Sequence, residues 1–168
     1  TRLDMEDRNT CVLFGDGAGA TVIELKEGTE LYSVWGSEGL TDVLGCTGQN
    51  MGKAHIFMDG QKTFKNAVKR MGSAAAEVLE QSGYTMDDID YVVCHQANER
   101  IIDAVVKRMD IPEEKVVKVI ARYGNTSAAS IPITLDEMYE QGMLEKGNRI
   151  LLATFGAGFT WASMIVEI

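Results

Sequence analysis

Three polar or glycine-rich stretches of this 168-residue chain follow apolar runs directly, the position where loops at the edge of an open sheet carry chemistry. His95 comes after Tyr91-Val92-Val93-Cys94. Asn125 lies in Arg122-Tyr123-Gly124-Asn125-Thr126-Ser127, behind the apolar run 116–120. Phe155-Gly156-Ala157-Gly158-Phe159 joins two further apolar runs. Brought together, an imidazole and a carboxamide both donate N–H to an oxygen that gains negative charge, and the Asn does so without titrating. Singly, each stretch has an ordinary structural reading: a core histidine, a capping asparagine and a hairpin turn. Cys94 beside His95 invites a Cys/His nucleophile, yet neighbours on a strand face opposite ways, so Cys94 is expected to pack. Gly15-Asp16-Gly17-Ala18-Gly19-Ala20 shares its glycines with phosphate loops. It lacks their Gly-Lys-Ser/Thr ending and a following helix, and reads as a tight turn.

The basic residues form a second constellation. Lys62, Lys65 and Lys69 share one face of a predicted helix, and Arg100 and Lys107, with Arg108 beside them, share a face of the next. In a chain of net charge −9 such clustering suits either a solvated face or an acidic partner.

The elements that must position these residues follow from periodicity. Runs at 11–14, 20–25 and 31–35 read as strands, and 36–53 as a long Gly/Thr/Asn/Ser loop. From Gln61 the apolar spacing is helical through Phe64, Ala67, Val68, Met71, Ala74, Ala75, Val78 and Leu79, with Gly83 as the stop. Residues 91–94 and 116–120 read as strands around a helix over 101–109. A helix over 127–141 follows, then strands 149–155 and 159–168. The alternation from 61 to 155 predicts an α/β class with a mixed, largely parallel sheet.

Composition bounds the function. With 45% hydrophobic and 24% charged residues and two prolines, residues 1–168 read as one globular domain. No apolar run reaches the ~18 residues of a membrane span, and the charged start is no signal peptide. The acidic balance argues against nucleic-acid and membrane partners. Cys11, Cys46 and Cys94 cannot all pair and match no metal spacing, which suits a reducing, cytoplasmic setting.

Four strings are more specific. Thr10-Cys11-Val12-Leu13-Phe14-Gly15-Asp16-Gly17-Ala18-Gly19-Ala20, His95-Gln96-Ala97-Asn98, Tyr123-Gly124-Asn125-Thr126-Ser127-Ala128-Ala129-Ser130 and Phe155-Gly156-Ala157-Gly158-Phe159-Thr160-Trp161 resemble 3-oxoacyl-[acyl-carrier-protein] synthase III, in order along the chain. The resemblance covers the C-terminal half of that family's subunit. It implies one half of a thiolase-like fold, with a five-stranded-type mixed sheet and helices on both faces. The reaction implied is decarboxylative Claisen condensation of an acyl-CoA primer, commonly acetyl-CoA, with malonyl-carrier protein, without a cofactor or metal. His95 and Asn125 match two members of a Cys-His-Asn triad. The nucleophilic Cys is expected before Thr1, in an absent N-terminal half, and none of the three cysteines here matches it.

Phe155 matches the family's apolar face beside the malonyl carboxylate, and the Ala157 N–H an oxyanion donor. Gly60, Gln61 and Asn98 match pantetheine contacts, with Gln61 standing where the family has Asn. Lys65, Arg100, Lys107 and Arg108 match the carrier-protein docking face, Arg108 replacing a Lys. The resemblance further implies a homodimer, and it predicts that the helix after Ser127 is left exposed in the isolated half, favouring self-association. Polyketide- or quinolone-type synthases share the triad. A non-catalytic module that binds carrier protein or CoA is the reading from another class.

Overall fold

The computed structural model describes residues 3–24, 27–28, 30–46 and 55–168. Its core is a four-stranded sheet of β1 (Tyr32–Ser37), β4 (Tyr91–Cys94), β5 (Arg149–Gly156) and β6 (Thr160–Glu167), ordered β1-β6-β5-β4. A separate antiparallel pair, β2 (Leu44–Cys46) and β3 (Ile56–Met58), stands beside it. Only β4 and β5 run parallel; β5/β6 and β1/β6 are antiparallel. The sheet is thus mixed as expected but not largely parallel, because the last two strands form a hairpin over Gly156-Ala157-Gly158 rather than a crossover.

Helices cover both faces. α1 (Gly60–Ser82) starts at Asp59, whose carboxylate accepts the Lys62 N–H at 3.0 Å, and ends where Gly83 turns left-handed (φ 72°). Its buried stripe of Thr63, Ala67, Met71, Ala74, Ala75 and Val78 is mostly small, so the helix lies close on the sheet. α2 (Glu99–Met109) packs against it through Ile101, Ile102, Val105 and Val106. On the opposite face, α4 (Ser130–Glu140) covers β4 and β5, with Met138 set against Val93 and Ile150. Ile131 and Leu135 join that cluster, so the apolar side of α4 is largely covered. Tyr139 near the end of α4 is exposed, and most of the other large exposed apolar side chains stand elsewhere, chiefly Val12, Val22, Ile23, Leu31 and Trp35.

Several predicted strands do not form. Residues 116–120 make one bridge, Val116 to Val92, and then turn into the short helix α3 (Ile120–Tyr123), so the expected fifth strand is a single contact. The run 11–14 is mostly turn, with a lone bridge from Phe14 to Asn125. Residues 15–24 adopt neither strand nor turn, and Leu25 lies outside the described residues. The predicted loop 36–53 contains the end of β1 and all of β2; its last seven residues lie outside the described ones.

The glycines at 15, 17 and 19 serve close approach instead of a tight turn. A Cβ on Gly15 would stand 2.0 Å from the Tyr123 carbonyl oxygen, one on Gly17 2.7 Å from Ile133, and one on Gly19 2.4 Å from Pro132. Glycine at every second position lets this segment lie against residues 123–133. Gly15→Ala is therefore expected to destabilise the chain by roughly 1–3 kcal/mol, as overpacking against backbone does. Gly39→Ala, with nothing within 4 Å of the added carbon, is the control and should shift stability by no more than about 0.5 kcal/mol. Urea unfolding of the two variants checks this.

Candidate active site

One cleft of about 1290 Å³ opens along the carboxyl ends of β4 and β5. Its lining contains His95, Asn125, Phe155, Ala157, Asn98, Arg100, Gly60 and Gln61, so four separated stretches of sequence converge there. Leu44, Cys46, Ile56 and Met58 of the β2/β3 pair form an apolar wall. Trp35, 80% exposed, and Phe64 stand in the lining as well. Phe64 belonged by periodicity to the buried stripe of α1, but it faces the cleft.

His95 sits one residue beyond β4, its backbone N–H held by the Ala153 carbonyl at 2.8 Å. The side chain is 8% exposed, with Nδ1 2.6 Å from Ser130 Oγ and the ring edge-on to Phe155 at 5.5 Å. Phe155 stacks on Phe159 at 5.4 Å, closing the site's apolar floor. Burial pushes the His95 pKa down to about 4, so the imidazole is neutral near neutral pH. Burial pushes the Cys94 thiol up to about 12, which leaves it inert; it packs in the core as the strand alternation predicts.

Asn125 is 7% exposed and fixed at backbone and side chain. Its N–H donates to the Leu13 carbonyl and its carbonyl accepts from Gly15 N–H, both at 2.9 Å. Its Oδ1 accepts the Ser127 N–H at 2.9 Å, which leaves the side-chain NH₂ as the group turned to donation. That bond needs Ser127 in the left-handed region (φ 53°) and follows Gly124 at φ 66°, ψ −161°, a backbone only glycine adopts readily.

Asn98 caps α2, its Oδ1 accepting the Arg100 N–H at 2.9 Å, so its NH₂ is likewise the free end. The turn carrying Ala157 is tied to the end of β1. Glu38 N–H donates to the Phe159 carbonyl at 2.8 Å, Leu40 N–H to Gly158 at 2.9 Å, and Thr160 Oγ1 to Ala157 at 3.2 Å. Arg70 pairs with the Glu38 carboxylate and lies 4.4 Å over the Trp161 ring, which holds that corner from α1.

Gln96 escaped the sequence reading. It is 1% exposed, with Nε2 donating to Cys94 (2.8 Å) and Val117 (3.4 Å) and Oε1 accepting from Val119 (3.0 Å) and Ile120 (3.2 Å). Ser130 escaped it too. Neither has a periodic signal, since each acts on segments distant in sequence. Lys65, Lys107 and Arg108 are exposed on α1 and α2 outside the cleft, whereas Arg100 reaches its rim. Among the described residues no helix is long and apolar enough to cross a membrane, and no His, Cys, Asp and Glu cluster could hold a metal.

Residues 79–168 match the family described as 3-oxoacyl-[acyl-carrier-protein] synthase III C terminal, and residues 1–39 match 3-oxoacyl-[acyl-carrier-protein] synthase III. The chain belongs to this synthase III family. It is 46% identical to a β-ketoacyl-[acyl-carrier-protein] synthase III of Caldanaerobacter subterraneus subsp. tengcongensis, over 98% of this chain and 54% of that one. The 3-oxoacyl-[acyl-carrier-protein] synthase III of Aquifex aeolicus VF5 superposes with a TM-score of 0.90 at 42% identity, covering 99% of this chain and 54% of the other. A priming β-ketosynthase from the R1128 polyketide biosynthetic pathway gives 0.89 at 36%, covering 99% and 53%. The fold is therefore that of thiolase-like synthase III proteins, and the chain spans about half the length of the curated relatives it matches.

The His95 environment sets a pH dependence. Its folded pKa of about 4 lies below the ordinary 6.5, so between those values the unfolded chain binds the extra proton. Stability should be full above pH 6.5 and fall by roughly 3 kcal/mol as pH drops through this window toward 4. Urea titrations from pH 4 to 7.5 should show this slope in the wild type and a shallower one in His95→Gln. Equal slopes would place the proton elsewhere.

Proposed function

We propose that this chain is the C-terminal half of a condensing enzyme. Its reaction would join an acyl-CoA primer, commonly acetyl-CoA, to malonyl-[acyl-carrier protein] by decarboxylative Claisen condensation and so initiate fatty acid synthesis. The observation that carries the reading is the pairing of His95 and Asn125 at one cleft, each with its other polar atom already engaged. Loss of carbon dioxide from a malonyl thioester puts negative charge on the thioester oxygen. A neutral imidazole N–H and the Asn125 NH₂ would hold that oxygen without any proton leaving them.

Phe155 supplies the apolar face that favours discharge of the carboxylate, and the stack with Phe159 keeps water from it. The Ala157 N–H would face the oxygen of the acyl-enzyme. The nucleophilic cysteine belongs, in this reading, to an N-terminal half of the same polypeptide, and the complete enzyme acts as a homodimer in the cytoplasm without a cofactor. The pantetheine arm would run past Asn98, Gly60 and Gln61. The acidic carrier would dock on Lys65, Arg100, Lys107 and Arg108, which two packed helices display beside the cleft mouth.

The similarity to a polyketide-priming synthase leaves the chemistry unchanged and moves only the primer; a panel of acyl-CoA primers separates the two. A non-catalytic binding module has no use for a buried, oriented His–Asn pair. In the gene's complete product, His95→Ala or Asn125→Ala should lower malonyl decarboxylation by about 10²–10³-fold. Acetyl-CoA should label a cysteine other than Cys11, Cys46 and Cys94. Normal decarboxylation in either variant, or label on one of these three thiols, overturns the assignment. For docking, Lys107→Glu with Arg108→Glu should raise KM for malonyl-carrier protein by about tenfold, and more than for malonyl-CoA. Equal effects on both substrates would remove the carrier from this face.

A further inference from the structure

The imidazole of His95 has two neutral tautomers, and only one offers a proton to the cleft. Nδ1 is committed to Ser130 Oγ at 2.6 Å, so Nε2 is the ring nitrogen left for a ligand. Which nitrogen carries the proton depends on the direction of the Ser130 bond. Ser130 is 2% exposed, at the first position of α4, and its oxygen also receives the Gln96 N–H at 3.3 Å. With that lone pair occupied by a donor, the hydroxyl hydrogen must find an acceptor in the protein interior. Among the described residues, the acceptor its hydrogen bonds provide is Nδ1. A hydrogen on Nδ1 instead would strand the Ser130 proton inside the core.

We infer that Ser130 is a positioning residue whose hydroxyl donates to Nδ1 and holds His95 as the Nε2–H tautomer facing the cleft. The inference rests on the proposed role of His95 as a hydrogen-bond donor. It also gives the turn before α4 a double task. Gly124 and Ser127 orient Asn125, and Ser130, three residues further on, orients His95, so one short segment sets both donors. The reverse tautomer would present a lone pair to an oxyanion and repel it.

The tautomer is readable without any activity. Two-bond ¹H–¹⁵N correlation spectra of the ¹⁵N-labelled chain at pH 7 distinguish protonated from bare ring nitrogens, and the two histidines are told apart with His55→Gln. A bare Nδ1 and protonated Nε2 at His95 are expected. Ser130→Ala should move the spectrum toward a tautomer mixture and lower decarboxylation in the gene's complete product by about 10–100-fold, and Ser130→Thr should restore both. A protonated Nδ1 in the wild type overturns the inference even if no variant folds, and so does an unchanged spectrum in folded Ser130→Ala. If the tautomer shifts while decarboxylation stays normal, the Ser130 assignment stands and the enolate role of His95 falls.

Discussion

The carboxamide of Gln96 holds together backbone segments that no strand ladder joins. Beyond the single bridge at Val92 and Val116, and the bond from Val117 N–H to the Val92 carbonyl, pairing with β4 stops. From there the Gln96 side chain takes over, receiving two N–H groups at the start of α3 and giving its own hydrogens to Cys94 and Val117. A buried amide with every bond made rigidifies its surroundings, while a partly satisfied one is costly, so this junction is specified tightly. His95 is the residue before it and α3 leads into the turn of Asn125. The spacing of His95 and Asn125 therefore depends in part on one fully buried side chain.

A second constraint acts from the N-terminal side. Leu13 and Gly15 pair with Asn125 through backbone bonds, and alternate glycines let the segment approach the turn without displacing it. The Asn125 turn is thus gripped by α3, by this glycine segment and by α4, and two left-handed backbone positions persist inside that grip. The Ala157 turn is secured separately, by the end of β1 and the Arg70–Glu38 pair. Each loop of the cleft is fixed by an element other than the strand that carries it, so the site is ordered before a ligand arrives.

Burial serves the chemistry as well as the fold. Excluding water from His95 keeps the ring neutral and strengthens any hydrogen bond it gives. The same exclusion makes Cys94 unreactive. Lys65, Lys107 and Arg108 remain in solvent, where, in the proposed reading, charge would guide encounter more than hold a complex.

Much of this was legible in the sequence. Helical spacing located α1 and α2 to within a residue or two, alternation placed Cys94 in the core, and four short strings identified the family, because motif chemistry depends on local order along the chain. The strands expected at 11–14, 20–25 and 116–120 do not form over their described residues because β-branched composition supplies only a propensity, while a strand also needs a neighbour in register; Val12, Val22 and Ile23 stand exposed. The glycines at 15, 17 and 19 looked like a turn because only the packed structure shows what a Cβ would strike. Gln96 and Ser130 stand inside two of those strings, but their roles show in no local pattern, since the bonds from Ser130 to His95 and from Val119 and Ile120 to Gln96 join segments 20 residues or more apart. Residue types and local order determined which groups can do chemistry here. Their distances, their protonation and the direction in which each donor points were decided by long-range contacts that exist only once the chain has folded.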